Sequence, residues 1–189
     1  KTLPSWNDAR VWQYGLLLAG SVVLFYVINS YVGLILEARG ESAALVWLLL
    51  LFNATPLMAS FVVLAAPGWI GKRGPIAASA GMAVVGLAGF TFLSGWVSWL
   101  GALLTGFAAS VELILLVSLP AAIAKGRAVT RLTAGMTLIG YGIAFILPMI
   151  GGWFAKGVGW LEFSLFPTLV FGVVALVLVG RERRYPPYT

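Results

Sequence analysis

One side chain in the middle of this 189-residue chain could carry proton chemistry, the carboxyl group of Glu112. It is the only Asp, Glu, Lys or Arg between residues 74 and 124. An acid near the centre of a membrane helix costs a few kcal/mol, about 2.5 to 3.5 for Asp on insertion scales, so we expect it to face a cavity or a partner. Its helical neighbours form a small, mildly polar stripe of Ala109, Ala108, Thr105 and Gly101. We expect that stripe to line a water-accessible face and Glu112 to carry a proton. The alternative is a protonated side chain bonded to a neighbouring helix.

A second group of candidates lies in the first apolar run, where Tyr26, Asn29 and Ser30 are uncharged but polar. Tyr26 and Asn29 are three residues apart, so they share one face of a helix, and Gly33 continues it. Such side chains either contact a solute or form hydrogen bonds between helices. Both interpretations stay open from the sequence.

Two further polar positions accompany helix-breaking residues. Asn53 precedes Pro56, which frees a backbone carbonyl that polar neighbours can satisfy, so local repair of the helix is the favoured interpretation. Tyr141 lies in a glycine-rich run that also contains Pro148, and this composition favours close helix packing with a kink. Tyr141 is the residue of that run expected to reach a cavity. These six residues are the candidate substrate-binding or proton-coupling set: Glu112, Tyr26, Asn29, Ser30, Asn53 and Tyr141.

Composition excludes several classes of protein. The chain has no cysteine and no histidine, which removes disulfides, thiolate metal sites, cysteine nucleophiles and Ser–His dyads. We expect no metal and no cofactor. The six acidic residues are scattered, so we expect no enzyme. The net charge of +6 could suggest a nucleic-acid partner, but the basic residues stand at the ends of apolar runs, where lipid headgroups explain them.

The elements that must hold these residues are apolar helices. The chain is 61% hydrophobic with a mean hydropathy of +1.00, and uncharged runs of 18 or more residues predict bilayer spans. We predict an all-α integral membrane protein in which residues 1–189 form one six-helix transmembrane domain. The predicted spans are about 11–36, 43–67, 75–93, 96–124, 131–155 and 161–180.

The basic residues predict the orientation of this bundle. With six spans both termini share one side, and that side collects ten basic residues, whereas the other has only Arg39 and Lys156. The positive-inside rule therefore predicts cytoplasmic termini and a location in the cytoplasmic (inner) membrane. All eight tryptophans also fall near predicted span ends, as in an interfacial aromatic belt.

The order of the motifs resembles the carboxy-terminal half of a major facilitator superfamily transporter, and it is most similar to the cyanate/nitroimidazole permease group. The segments that carry the resemblance are residues 24–37 (LFYVINSYVGLILE), 68–75 (GWIGKRGP), 118–120 (SLP) and 140–152 (GYGIAFILPMIGG). The basic turn departs from the superfamily's loop motif, because Gly71 stands where an Asp usually precedes the basic pair.

The resemblance implies half of a twelve-helix fold in which the first and fourth helices of each half line a central cavity. It implies alternating access for a small solute, such as an organic or inorganic anion, by symport, antiport or uniport. Proton coupling through Glu112 is expected from the position of this acid within its span and not from the resemblance. The partners expected are that solute, the lipid bilayer and a second six-helix half, either an amino-terminal half or another copy. The alternative is a non-transporting membrane subunit or a structural half of a membrane complex.

Overall fold

The computed structural model describes residue 4 and residues 6–181, with only the backbone of the last two. The described chain contains six long α-helices: α1 (Ala9–Ala38), α2 (Leu45–Ala65), α3 (Arg73–Phe92), α4 (Gly95–Ile123), α5 (Arg127–Val158) and α6 (Phe166–Arg181). Short 3-10 turns precede α2 (Ser42–Ala44) and α6 (Leu161–Leu165). Six segments are long and apolar enough to cross a membrane, which confirms the predicted all-α six-helix bundle.

Consecutive helices place their connections at two opposite ends of the bundle. At one end, which we call the Arg39 end, Arg39 after α1 pairs with Glu162 before α6, and Glu41 contacts Gly95 and Trp99 at the start of α4. At the other end, the basic end, the α2–α3 and α4–α5 turns expose basic side chains: Lys72, Lys125 and Arg127. This alternation agrees with the predicted topology, while the side of the membrane on which each end lies stays a prediction.

Helices α1 and α4 form the centre of the bundle because small residues let their neighbours approach closely. A Cβ atom on Gly101 of α4 would lie 2.7 Å from the carbonyl oxygen of Gly86 in α3. A Cβ atom on Gly15 of α1 would lie 2.7 Å from the Cβ of Ile139 in α5. In this arrangement α3 and α6 cover one side of the central pair, and α2 packs on α4 while α5 packs on α1.

The exposure of α1 changes along its length. In its half near the basic end most side chains are buried. Helix α5 packs along both halves of α1, with Gly135 against Val11 and Gly140 against Leu18 near the basic end, and with the Tyr31 hydroxyl on the Pro148 carbonyl nearer the Arg39 end. In its half near the Arg39 end, the residues on one face of α1 are exposed or half-buried: Tyr26, Asn29, Ser30, Gly33, Leu34 and Glu37. Helix α1 is therefore buried toward the basic end and has one accessible face toward the Arg39 end.

Candidate functional site

A polar patch occupies this accessible face, and its centre is a hydrogen bond between two helices. The Nδ2 of Asn53 in α2 donates to the Oδ1 of Asn29 in α1 over 3.0 Å. Asn53 Nδ2 also donates to the carbonyl of Leu49, and Asn29 Nδ2 donates to the carbonyl of Phe25. One N–H of Asn29 and the Oδ1 of Asn53 form no hydrogen bond with any residue that the structure describes. These two groups can bond a solute or water.

Tyr26 and Ser30 extend the patch along α1. The Ser30 hydroxyl donates to the carbonyl of Tyr26 over 2.9 Å, and Tyr26 has 46% of its surface exposed. At 1.5 Å per residue, Tyr26 lies about 4 Å from the midpoint of α1. With the same helical rise per residue, Asn53 lies about 3 Å from the midpoint of α2. We define the polar patch as Tyr26, Asn29, Ser30 and Asn53. Asn29 and Ser30 lie about 8 and 10 Å from the midpoint of α1, so the patch lies within the spans, displaced toward the Arg39 end.

Tyr141 lies in α5 and is 37% exposed, but no hydrogen bond joins it to the patch within the described chain. Its helical neighbour Thr137 lines a small hollow with Leu18 of α1 and Val117 of α4. The side chain of Tyr141 thus borders the accessible face without contacting the Asn29–Asn53 pair.

The interpretation of Asn53 as a residue that repairs the helix at Pro56 is wrong for this structure. Pro56 leaves the Phe52 carbonyl without its helical N–H, and the Thr55 hydroxyl donates to that carbonyl over 2.7 Å, whereas Asn53 bonds Leu49 and Asn29.

The expectation that Glu112 lines a water-accessible face is wrong for this structure. Only 1% of its surface is exposed, and Gly101, Thr105 and Ala109 of the same stripe are all buried. The physical reason is that small residues also permit close helix packing. The Thr105 hydroxyl lies 3.3 Å from the carbonyl of Ala83 in α3, and Ser21 of α1 donates to the carbonyl of Ala109 over 2.7 Å.

Glu112 therefore points into the bundle, toward α1 and α3, on the side of α4 opposite the half-buried Leu103, Phe107 and Ile114. Both of its carboxyl oxygens are buried, and neither has a hydrogen-bond partner in the described structure. An ionised carboxylate without a partner is strongly disfavoured in such surroundings, so the neutral form suits this site. Loss of the proton would require water or a cation to reach it, which requires the helices to separate.

Sequence reasoning missed a charged cluster at the Arg39 end. The Arg39 guanidinium donates to Glu162 (Nε to Oε1, 3.3 Å), to the Ser98 hydroxyl (2.9 Å) and to the carbonyls of Phe90 (3.2 Å) and Thr91 (3.0 Å). From the sequence alone, Arg39 contributed only to the prediction of the orientation of the bundle in the membrane. No local pattern connects it with residues that lie 51 to 123 positions further along the chain.

Within the described residues no group of three or more His, Cys, Asp or Glu side chains could hold a metal ion. The fold is that of a six-helix membrane-embedded bundle with a polar patch on one face. No protein-family model, no curated protein and no solved structure matches the chain. The resemblance to a major facilitator half therefore stays a prediction.

Proposed function

We propose that this chain is one six-helix body of a secondary transporter that moves a small polar solute across the membrane by alternating access. The observation that carries the proposal is the accessible Asn29–Asn53 pair within the apolar part of two helices. Polar groups at this depth are expensive in hydrocarbon unless they are satisfied by protein or water. A patch with unused hydrogen-bonding groups is therefore expected to face an aqueous cavity.

A second six-helix body would close that cavity. The exposed residues of α2 and α5 that flank the patch are mainly large and apolar, among them Leu50, Leu57, Phe61, Phe145 and Met149. A second body seated on these two helices would bury the flanking apolar surface and leave the patch between the bodies. Solute sites at the interface of two repeats, near the bilayer midplane, are typical of secondary transporters.

The packing of α5 over α1 supports alternating access. Gly135 and Gly140 of α5 contact Val11 and Leu18 of α1, between the patch and the basic end. The patch is accessible toward the Arg39 end. We propose that this body rocks between two conformations. In the first the patch is accessible toward the Arg39 end. In the second the Arg39 end closes and the α1–α5 contact near the basic end opens, which makes the patch accessible from the basic end.

The chemistry of the patch limits the solute. Its members offer amide and hydroxyl groups and no charge, so they suit a small solute that exchanges hydrogen bonds with them. For an organic or inorganic anion, the positive charge would come from the second body. Proton coupling fits Glu112, which would take up or lose its proton when the helices separate.

The absence of cysteine from the chain allows a direct test of the water-filled cavity. We would make Asn53→Cys and, as a matched control, Val85→Cys on α3, which is 66% exposed and lies at a similar depth, about 4 Å from the midpoint of its helix. Each variant is treated in intact membranes with a membrane-impermeant thiol reagent. We expect labelling of Asn53→Cys at least about tenfold faster than labelling of Val85→Cys, because the reagent reacts with the water-exposed thiolate.

Equal and slow labelling of both positions would overturn the proposed cavity and favour the non-transporting subunit, in which a partner covers the patch without water. Uptake is then measured with labelled cyanate and a nitroimidazole, the solutes that the resemblance implies. Modification of Asn53→Cys is expected to block the uptake of a transported solute, and modification of Val85→Cys is not.

A further inference from the structure

A groove of about 710 Å³ lies at the Arg39 end, on the side of the bundle away from the polar patch. It separates the α3–α4 turn from the 3-10 turn before α6, and the Arg39–Glu162 ion pair forms part of its wall. The rest of the lining is mainly apolar and aromatic, with Phe92, Val97, Trp160, Phe163 and Phe166. The groove thus combines one ion pair with a large apolar surface.

The position of this groove corresponds to the interface between lipid headgroups and acyl chains. Trp160 and Trp96 are 67% and 68% exposed at this end, and exposed tryptophans mark that interface. Below the groove, the exposed large residues of α3 and α6 are apolar: Met82, Val85, Val170, Val173, Val174 and Val177. This α3–α6 face suits contact with acyl chains, so an amphipathic molecule could extend from the groove along it.

The polar groups of the groove favour a ligand that donates hydrogen bonds. Arg39 uses its Nε–H and three further N–H bonds for Glu162, Ser98 and the carbonyls of Phe90 and Thr91. Only one of its five N–H groups is left over. In contrast, Glu162 accepts through Oε1, and its Oε2 has no hydrogen-bond partner among the described residues, with 30% of the side chain exposed.

We propose that this groove binds the headgroup of a phospholipid with a primary ammonium group, phosphatidylethanolamine. The ammonium donates to Glu162 Oε2, and the phosphate accepts from the remaining N–H of Arg39 and from the Ser94 hydroxyl, which also lines the groove. The acyl chains lie along α3 and α6. Phosphatidylcholine cannot donate these hydrogen bonds, and phosphatidylglycerol lacks the positive charge.

The test measures lipid binding by native mass spectrometry of the purified full chain. Phosphatidylethanolamine, phosphatidylcholine and phosphatidylglycerol with identical acyl chains are titrated separately. A charge-assisted hydrogen bond is worth roughly tenfold in affinity, so we expect phosphatidylethanolamine to bind about tenfold more tightly than either other lipid. The variant Glu162→Gln should reduce this preference to about threefold or less, whereas Glu37→Gln, an exposed acid outside the groove, should preserve it.

A second pair of variants tests the groove without altering the ion pair. Val97→Trp adds bulk inside the groove, and Val46→Trp adds the same bulk at an exposed position of α2, outside both the groove and the α3–α6 face. We expect at least about fivefold weaker binding of phosphatidylethanolamine for Val97→Trp and less than about twofold change for Val46→Trp. Equal affinity for the three lipids, or an unchanged preference in Glu162→Gln, would overturn the proposal. The lipid preference is a ratio within one variant, so a general loss of stability cannot imitate the result expected for Glu162→Gln.

Discussion

Replacement of Arg39 by methionine should destabilise the bundle far more than replacement of the other cation at the same end, Lys156. Methionine keeps an apolar stem of similar length and removes only the guanidinium. Arg39 has 11% of its side chain exposed and bonds four acceptors on three other elements. Lys156 is exposed near the end of α5.

The expected loss of stability in Arg39→Met depends on which hydrogen-bond acceptors lose their donor. The Thr91 carbonyl at the end of α3 loses the guanidinium, while the Phe90 carbonyl keeps a hydrogen bond from Ser98 (3.1 Å). An unsatisfied buried acceptor costs about 1–3 kcal/mol, and a hydrogen bond to a charged group contributes about 1.5–3 kcal/mol. The guanidinium also lies 5.6 Å from the ring centroid of Phe90, a cation–π contact of about 0.5–1 kcal/mol. Because such contributions are not additive, we expect a loss of about 3–5 kcal/mol in the free energy of unfolding.

The assay is denaturant unfolding of the purified chain in mixed micelles, followed by tryptophan fluorescence. Arg39→Lys should lose about half as much as Arg39→Met, because an ammonium has three donors without the planar fork. A double-mutant cycle with Glu162→Gln should give a coupling energy below about 1 kcal/mol, since the pair is partly exposed. The reasoning is refuted if Arg39→Met costs less than about 1 kcal/mol, or if coupling to Glu162 explains most of the loss.

Three further outcomes follow from the packing. Gly101→Ala should cost more than about 2 kcal/mol, because its Cβ would meet the backbone of α3 at 2.7 Å, whereas Gly142→Ala, with nothing within 4 Å, should be neutral or mildly stabilising in the same unfolding assay. Glu112→Gln should change the unfolding free energy by less than about 1 kcal/mol, since one neutral group replaces another of equal size. The same substitution should abolish the pH dependence of solute uptake. Uptake with an unchanged pH dependence would remove Glu112 from the mechanism. Tyr31→Phe should cost about 1 kcal/mol, because the hydroxyl lies 2.6 Å from the carbonyl oxygen of Pro148, and no change in stability would mean that this bond contributes nothing.

The positions of the helices were predictable because an uncharged run of sufficient length has few alternatives to a membrane helix. The predicted first span, residues 11–36, lies within α1, Ala9–Ala38. The observed helix is longer at both ends and includes Arg10 and Glu37. Hydropathy detects the part of a helix that contacts hydrocarbon, whereas backbone hydrogen bonding continues into the interface, where charged side chains reach water.

The direction in which Glu112 points could not be predicted by the same reasoning. A stripe of small and weakly polar residues suits a water-lined face and a tight helix contact equally well. The choice depends on whether another helix carries a complementary stripe, and here Gly86 of α3 supplies it for Gly101. The Arg39–Glu162 pair was equally hidden, because it joins the end of the first helix to the start of the last.

The two sides of the bundle differ in a way that a uniform lipid environment does not explain. On the α3–α6 side the exposed large residues are apolar, as contact with acyl chains requires. On the other side an apolar rim on α2 and α5 flanks the Asn29–Asn53 pair, which retains unused hydrogen-bonding groups within the spans. An environment that satisfies both the rim and the patch is apolar around its border and offers water or polar groups at its centre. The proposed second helical body would provide such an environment, and acyl chains would not.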